Sequence, residues 1–199
     1  MVKKKKIIFR PNLSLAILLF LGTISLSLTM VRSGLATRWG LGFWGPNGHD
    51  GIWHLAVINQ AIKSFPPVNP IFSGSGLTNY HFGYDILVAL LSKIFFLSPR
   101  ILYFQLLPVA TAFFLGLLSF WVGMKWKKDF WTGFWFAFLN FWAGSLGWIV
   151  TLVREDKVGG ESMFWSMQSS STLINPPFAL SLIFLLWGMF GLLNLKNCI

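Results

Sequence analysis

Four apolar runs, Leu13–Val31, Ile101–Met124, Phe130–Val150 and Phe178–Leu195, dictate what this chain can become. Each is close to or above the roughly 20 helical residues needed to cross a hydrocarbon core of about 30 Å. Backbone in lipid must satisfy its own hydrogen bonds, so runs of this length form helices. A fifth run, Phe82–Leu97, has 16 residues and carries Asp85 and Lys93. As a helix it reaches only about 24 Å. The expected fold class is all-α, a polytopic transmembrane helix bundle of four spans plus this shorter segment.

Composition closes the other routes. A chain that is 55% hydrophobic and 11% charged does not make a soluble domain around one core. The net charge of +10 would suit nucleic acid, but Lys3–Lys6 stand beside the first apolar run. There they read as a topology signal and a contact for anionic lipids, so membrane lipids are expected as partners and nucleic acid is not. The N-terminus is expected to be cytoplasmic in a multi-pass protein of the cell membrane, with Leu13–Val31 as an uncleaved anchor. The single Cys198 excludes an internal disulfide framework. Residues 1–199 are expected to form one transmembrane domain: a basic segment 1–12, a span 13–31, an extracytoplasmic loop 32–80 and further helices over 82–199. Oligomeric state is not legible.

The short segment controls the topology. If Phe82–Leu97 crosses, the Lys125–Lys128 cluster falls outside, against the positive-inside tendency. If it is re-entrant or interfacial, that cluster and Lys196 fall inside, and the polar loop Arg154–Pro177 shares a side with Asp50. Charge favours the second arrangement and hydropathy the first.

The polar chemistry is concentrated between residues 49 and 85, which hold all three histidines and two of the six acidic residues. Ile52, Leu55, Ala56, Ile58, Ala61 and Ile62 recur at helical spacing, which predicts an amphipathic surface helix over 50–64, stopped by Phe65-Pro66-Pro67. Asp50 opens that helix, where a carboxylate is stabilised by unpaired backbone N–H groups. It is either a plain helix cap or a general base held at a membrane surface, and one carboxylate can be both. His54 lies at i+4 from Asp50, and His81 and Asp85 repeat the spacing. Such pairs suit phosphate through His or a divalent cation through carboxylates, and equally suit satisfied interfacial hydrogen bonds. No cofactor is demanded, a divalent cation being the one candidate, and no protein metal site is expected. Asp85 is costly inside an apolar run unless it faces a cavity, a partner or interfacial water. Lys93 is expected to snorkel to the opposite interface. Glu155, Asp156 and Glu161 share a solvated loop with Arg154 and Lys157.

The order of these features carries a resemblance. A basic N-terminus and one span are followed by Gly48-His49-Asp50-Gly51-Ile52-Trp53-His54-Leu55-Ala56, then Phe65-Pro66-Pro67-Val68-Asn69-Pro70, then Asn79-Tyr80-His81-Phe82-Gly83-Tyr84-Asp85. Over roughly residues 7–100 this resembles the N-terminal part of GT-C-fold membrane glycosyltransferases, in the group of protein mannosyltransferases and lipid A aminoarabinose transferases. The resemblance implies transfer of a sugar from a polyprenyl-phosphate-linked donor to an extracytoplasmic acceptor, with Asp50 as the catalytic acidic residue. It also implies a larger GT-C fold of which this chain is a fragment. His54, His81, Asp85, Asn79 and Tyr80 are the candidate substrate-binding residues beside Asp50, with Arg32 and Arg38 as further charges. The paired acidic motif of many relatives is absent, because Gly48, His49, Gly51 and Ile52 surround Asp50. The competing expectation is a non-enzymatic multi-pass subunit or lipid-binding assembly factor, with a transporter third.

Overall fold

The computed structural model describes residues 12–72, 74–157 and 160–195, without the side chains of Glu161 and Ser162. The expectations placed on Lys3–Lys6, Lys196, Cys198 and the Glu161 carboxylate lie outside the described residues. Helix α1 spans Leu13–Val31 and is capped by Asn12, whose Oδ1 accepts from Ser14 N–H at 3.0 Å. After a hairpin of β1 (Leu35–Thr37) and β2 (Gly40–Gly42), paired antiparallel with Leu35 opposite Gly42, comes α2 (Asp50–Lys63), then α3 (Gly83–Phe95). Helix α4 covers Pro99–Lys127 and contains a π turn at Leu102–Leu106. There follow α5 (Phe130–Trp142), α6 (Gly147–Glu155), α7 (Gly160–Ser166) and α8 (Pro176–Leu195).

Among the described residues three helices, α1, α4 and α8, are long and apolar enough to cross a membrane. Helices α1 and α4 run antiparallel. Gln105 Nε2 donates to the Ser33 carbonyl at 2.7 Å near the end of α1, while Leu19 lies against Gly116 further along α4. One aromatic ring locks this frame. A Cβ on Gly22 would stand 2.3 Å from the Phe141 ring, and one on Gly116 2.1 Å from it. Phe141 of α5 therefore enters a slot that only two glycines open, and it is fully buried there. Helix α8 lies along α4 in the same direction, with Phe190 beside Trp121 and under the Lys125 ammonium. The Lys125–Lys128 cluster thus sits at the bundle end where α1 begins.

The expected fourth span, Phe130–Val150, is two helices. Helix α5 ends at Trp142 after 13 residues, about 20 Å. Ala143 is extended, Gly144 bridges Met167, and α6 starts only at Gly147. Ala-Gly-Ser-Leu-Gly is a weak helix sequence, and summing hydropathy across it hides the break. The stretch expected as a polar loop over 154–177 is largely helical instead. Its Phe164 packs on the core and against Trp44, with ring centres 6.1 Å apart, which supplies the burial that its polar residues do not.

The short apolar segment does not cross the bundle. Helix α3 starts where Tyr84 meets Tyr103 of α4, and it ends at Phe96, which takes a left-handed φ of 56°. Three residues later α4 opens at Pro99, and the Arg100 guanidinium donates to the Gly34 carbonyl just past α1. Both ends of α3 lie at the bundle end where α1 stops, so the described residues between Arg32 and Ser98 cap that end.

Candidate functional site

The cap places Asp50, His54 and Asp85 in a line from surface to interior. Asp50 is the first residue of α2 and His49 stands at the cap position, so the helix N-terminus holds the carboxylate by position and not by a side-chain capping bond. The Asp50 side chain is 58% exposed, and its Oδ1 lies 2.8 Å from the His49 ring nitrogen. One turn deeper, the His54 side chain is only 10% exposed. Beneath it Asp85 is fully buried.

His54 and Asp85 form the central contact. His54 Nδ1–H donates to Asp85 Oδ1 at 2.9 Å, joining α2 to α3. The ring is stacked on Tyr103, with centres 5.5 Å apart, and Tyr80 flanks it at 6.2 Å. Tyr103 belongs to the π turn of α4, and its buried ring lies against His54. Tyr84 meets Tyr103 edge-on, so three phenols surround the pair. Asp85 Oδ2 is buried without a hydrogen-bond partner among the described residues. His54 Nε2 has no hydrogen-bond partner among the described residues, and the side chain keeps a tenth of its surface exposed.

Local packing explains why α2 presents His54 inward. A Cβ on Gly51 would stand 2.7 Å from the buried Phe104 ring, so α2 crosses α4 closely there and its buried stripe runs through Gly51, His54, Val57 and Ile58. The apolar spacing predicted a face that includes Ile52, which is 48% exposed. The helix is right and its inner face is rotated, because a histidine with a carboxylate partner can occupy a core position.

The expected pairs at i+4 are not the pairs that form. Asp50 bonds His49, Asp85 bonds His54 across 31 residues, and His81 is exposed and stacked on Tyr80 at 4.7 Å. Asp85 does not reach interfacial water, being fully buried, and exposed Lys93 forms no ion pair with it among the described residues. Asn79 is exposed and takes a left-handed φ of 56°, a conformation Asn tolerates, so its visible role is to turn the chain before α3. Arg32 lies over Trp44 and Arg38 over Trp39, and neither forms an ion pair with Asp50 or Asp85 among the described residues. Among the described residues no three His, Cys, Asp or Glu side chains converge as a metal-ligand set.

Tyr80 feels the charge of both carboxylates. Burial pushes its phenol above the ordinary value near 10, a Trp53 hydrogen bond opposes this, and the Asp85 and Asp50 charges raise it further. The hydroxyl is thus held protonated in the field of both acids. Tyr103, Tyr84 and Gln105 were not among the expected site residues. A tyrosine or glutamine inside an otherwise apolar run was the signal available for each.

No protein-family model, curated protein or solved structure matches this chain.

Proposed function

We propose that this chain acts as a membrane glycosyltransferase, moving a sugar from a polyprenyl-phosphate-linked donor to an extracytoplasmic acceptor with Asp50 as general base. The supporting observation is the Asp50–His54–Asp85 line at one end of an apolar bundle, with the Lys125–Lys128 cluster at the other. Under the positive-inside tendency the lysine end is cytoplasmic, so the acidic line faces out. Asp50 is open to an acceptor and has one oxygen engaged by His49, leaving the other to take a proton. The acceptor oxygen attacks the anomeric carbon as the lipid phosphate departs, and donors deeper in the cap stabilise that phosphate.

The test is transfer of labelled sugar from polyprenyl-phosphate donors by the purified full chain and by Asp50→Asn. Loss of turnover in a variant that melts like the parent supports the reading. Unchanged turnover removes Asp50 as base, and a parent inert with every donor tried overturns the assignment.

A groove of about 450 Å³ between α4 and α8, lined by Val122, Trp126, Phe136, Met189 and Leu192, favours a second reading. An apolar groove of this kind suits a lipid chain or a partner helix, as a non-enzymatic membrane subunit would use.

A further inference from the structure

The buried carboxylate is not needed by the mechanism above. An ionised Asp in a fully buried position is a standing cost unless its bonds are completed, and Asp85 has one oxygen bonded and one orphaned. A helix joint could be made by apolar contact alone. What the pair does instead is set one ring. Carboxylates only accept, so Asp85 draws the hydrogen of His54 onto Nδ1. Tyr103 fixes the plane of the ring from below, and Tyr80 flanks it. The ring therefore has one tautomer, one orientation and one nitrogen, Nε2, without a partner among the described residues, in a side chain that keeps a tenth of its surface exposed.

We propose that Asp85 is a positioning residue that locks His54 so that Nε2, together with the Tyr80 hydroxyl, contacts a phosphate oxygen of a lipid monophosphate. In the bound state the ring carries hydrogen on both nitrogens, one facing Asp85 and one facing the phosphate. Recognition of a lipid phosphate fits the surroundings: Phe65, Ile71, Phe72, Leu90 and Ile94 all expose more than half of their surface on the same cap. These apolar groups give a hydrocarbon tail a surface to lie on. The proposal rests on the glycosyltransferase reading for the substrate class and goes beyond it in assigning Asp85, Tyr103 and the tautomer.

The full chain contains three histidines, so selective ¹⁵N-histidine labelling gives three ring systems, assigned with His49→Gln and His81→Gln. The labelled protein in nanodiscs is titrated with a short polyprenyl monophosphate, the matching polyprenyl alcohol and inorganic phosphate. The expected result is a His54 ring with hydrogen on Nδ1 in the free protein and a saturable shift of Nε2 with the monophosphate only. Asp85→Asn should weaken that binding about tenfold or more, the scale on which carboxylate orienters act on histidine ligands. An equal shift with the alcohol, no shift with the monophosphate, or unchanged affinity in folded Asp85→Asn overturns the proposal. Inorganic phosphate binding as tightly as the lipid form overturns the lipid assignment. The three titrations of the unaltered chain decide the phosphate contact even where Asp85→Asn does not fold. Binding without any sugar transfer by the parent would sink the glycosyltransferase reading alone, while transfer without a His54 shift would sink this one alone.

Discussion

Replacing His54 by Leu leaves Asp85 fully buried with neither oxygen bonded, since Oδ2 is already orphaned and Oδ1 loses its 2.9 Å donor. Breaking a buried pair from one side costs about 3–5 kcal/mol, because the remaining charge is uncompensated. For a chain of this size each kcal/mol moves the midpoint by about 2–4 °C, so His54→Leu should lower Tm by at least about 6 °C. Asp85→Leu should cost less, because a neutral imidazole is cheaper to strand than a carboxylate. The double variant His54→Leu with Asp85→Leu removes both polar groups, and apolar replacement of a whole buried pair is near neutral or stabilising. Its Tm should lie within a few degrees of the parent. Thermal unfolding in detergent micelles, followed through the 11 tryptophans, reads all four corners of this cycle. A double variant that loses as much as the two single losses added together would refute the coupling argued from the geometry.

Four further outcomes follow from the same structure. Gly116→Val places two more carbons where a single Cβ already falls 2.1 Å from Phe141, so the chain should lose its cooperative unfolding transition, while Phe141→Leu should cost only about 1–2 kcal/mol by the same melting assay. Gln105→Ala removes the donor that bridges α4 to the Ser33 carbonyl and should lower stability by about 1–3 kcal/mol, visible as a Tm shift of a few degrees. Tyr80 ionises above the ordinary tyrosine value, so its contribution to stability is full below about pH 10 and is lost as pH rises through the folded value. Ultraviolet titration, with Tyr84 and Tyr103 replaced singly by Phe for assignment, should show the Tyr80 transition moving down in Asp50→Asn, where one raising charge is gone. On a Cys198→Ser background, Trp39→Cys and Phe96→Cys should react with an impermeant maleimide from the same side of sealed vesicles, and Lys127→Cys from the other. Labelling of Phe96→Cys with Lys127→Cys would show that α3 crosses.

Local signals in the sequence were read well where one helix is enough to explain them. Helix α1 occupies the whole Leu13–Val31 run, and α2 covers Asp50–Lys63 against an expected 50–64, because apolar length and the Pro66-Pro67 stop act within a single element. The break at Ala143 escaped because a hydropathy sum weighs apolar content and not helix propensity, and its neighbours Phe141 and Trp142 outweigh Gly144 and Gly147. The site escaped for a different reason. Spacing at i+4 pairs residues on one helix, whereas the contact that forms joins His54 to Asp85 across 31 residues. Its existence depends on α2 crossing α4 at Gly51, and nothing local to either residue encodes that approach. Motif order, which carries the glycosyltransferase resemblance, encodes neither depth nor pairing.

The π turn at Leu102–Leu106 has a consequence for how this protein can change over evolutionary time. Each residue of an α-helix advances the azimuth by about 100°, so removing the one surplus residue would swing everything before it through that angle. Arg100 would leave Gly34 and Tyr103 would leave His54, while Gly116 would keep its place against Phe141. The turn thus works as a phase adjuster inside one rod. Its upper part is indexed to the cap and its lower part to the bundle, and each can drift by substitution without dragging the other out of register. A single-codon deletion there would desynchronise the two halves at a stroke.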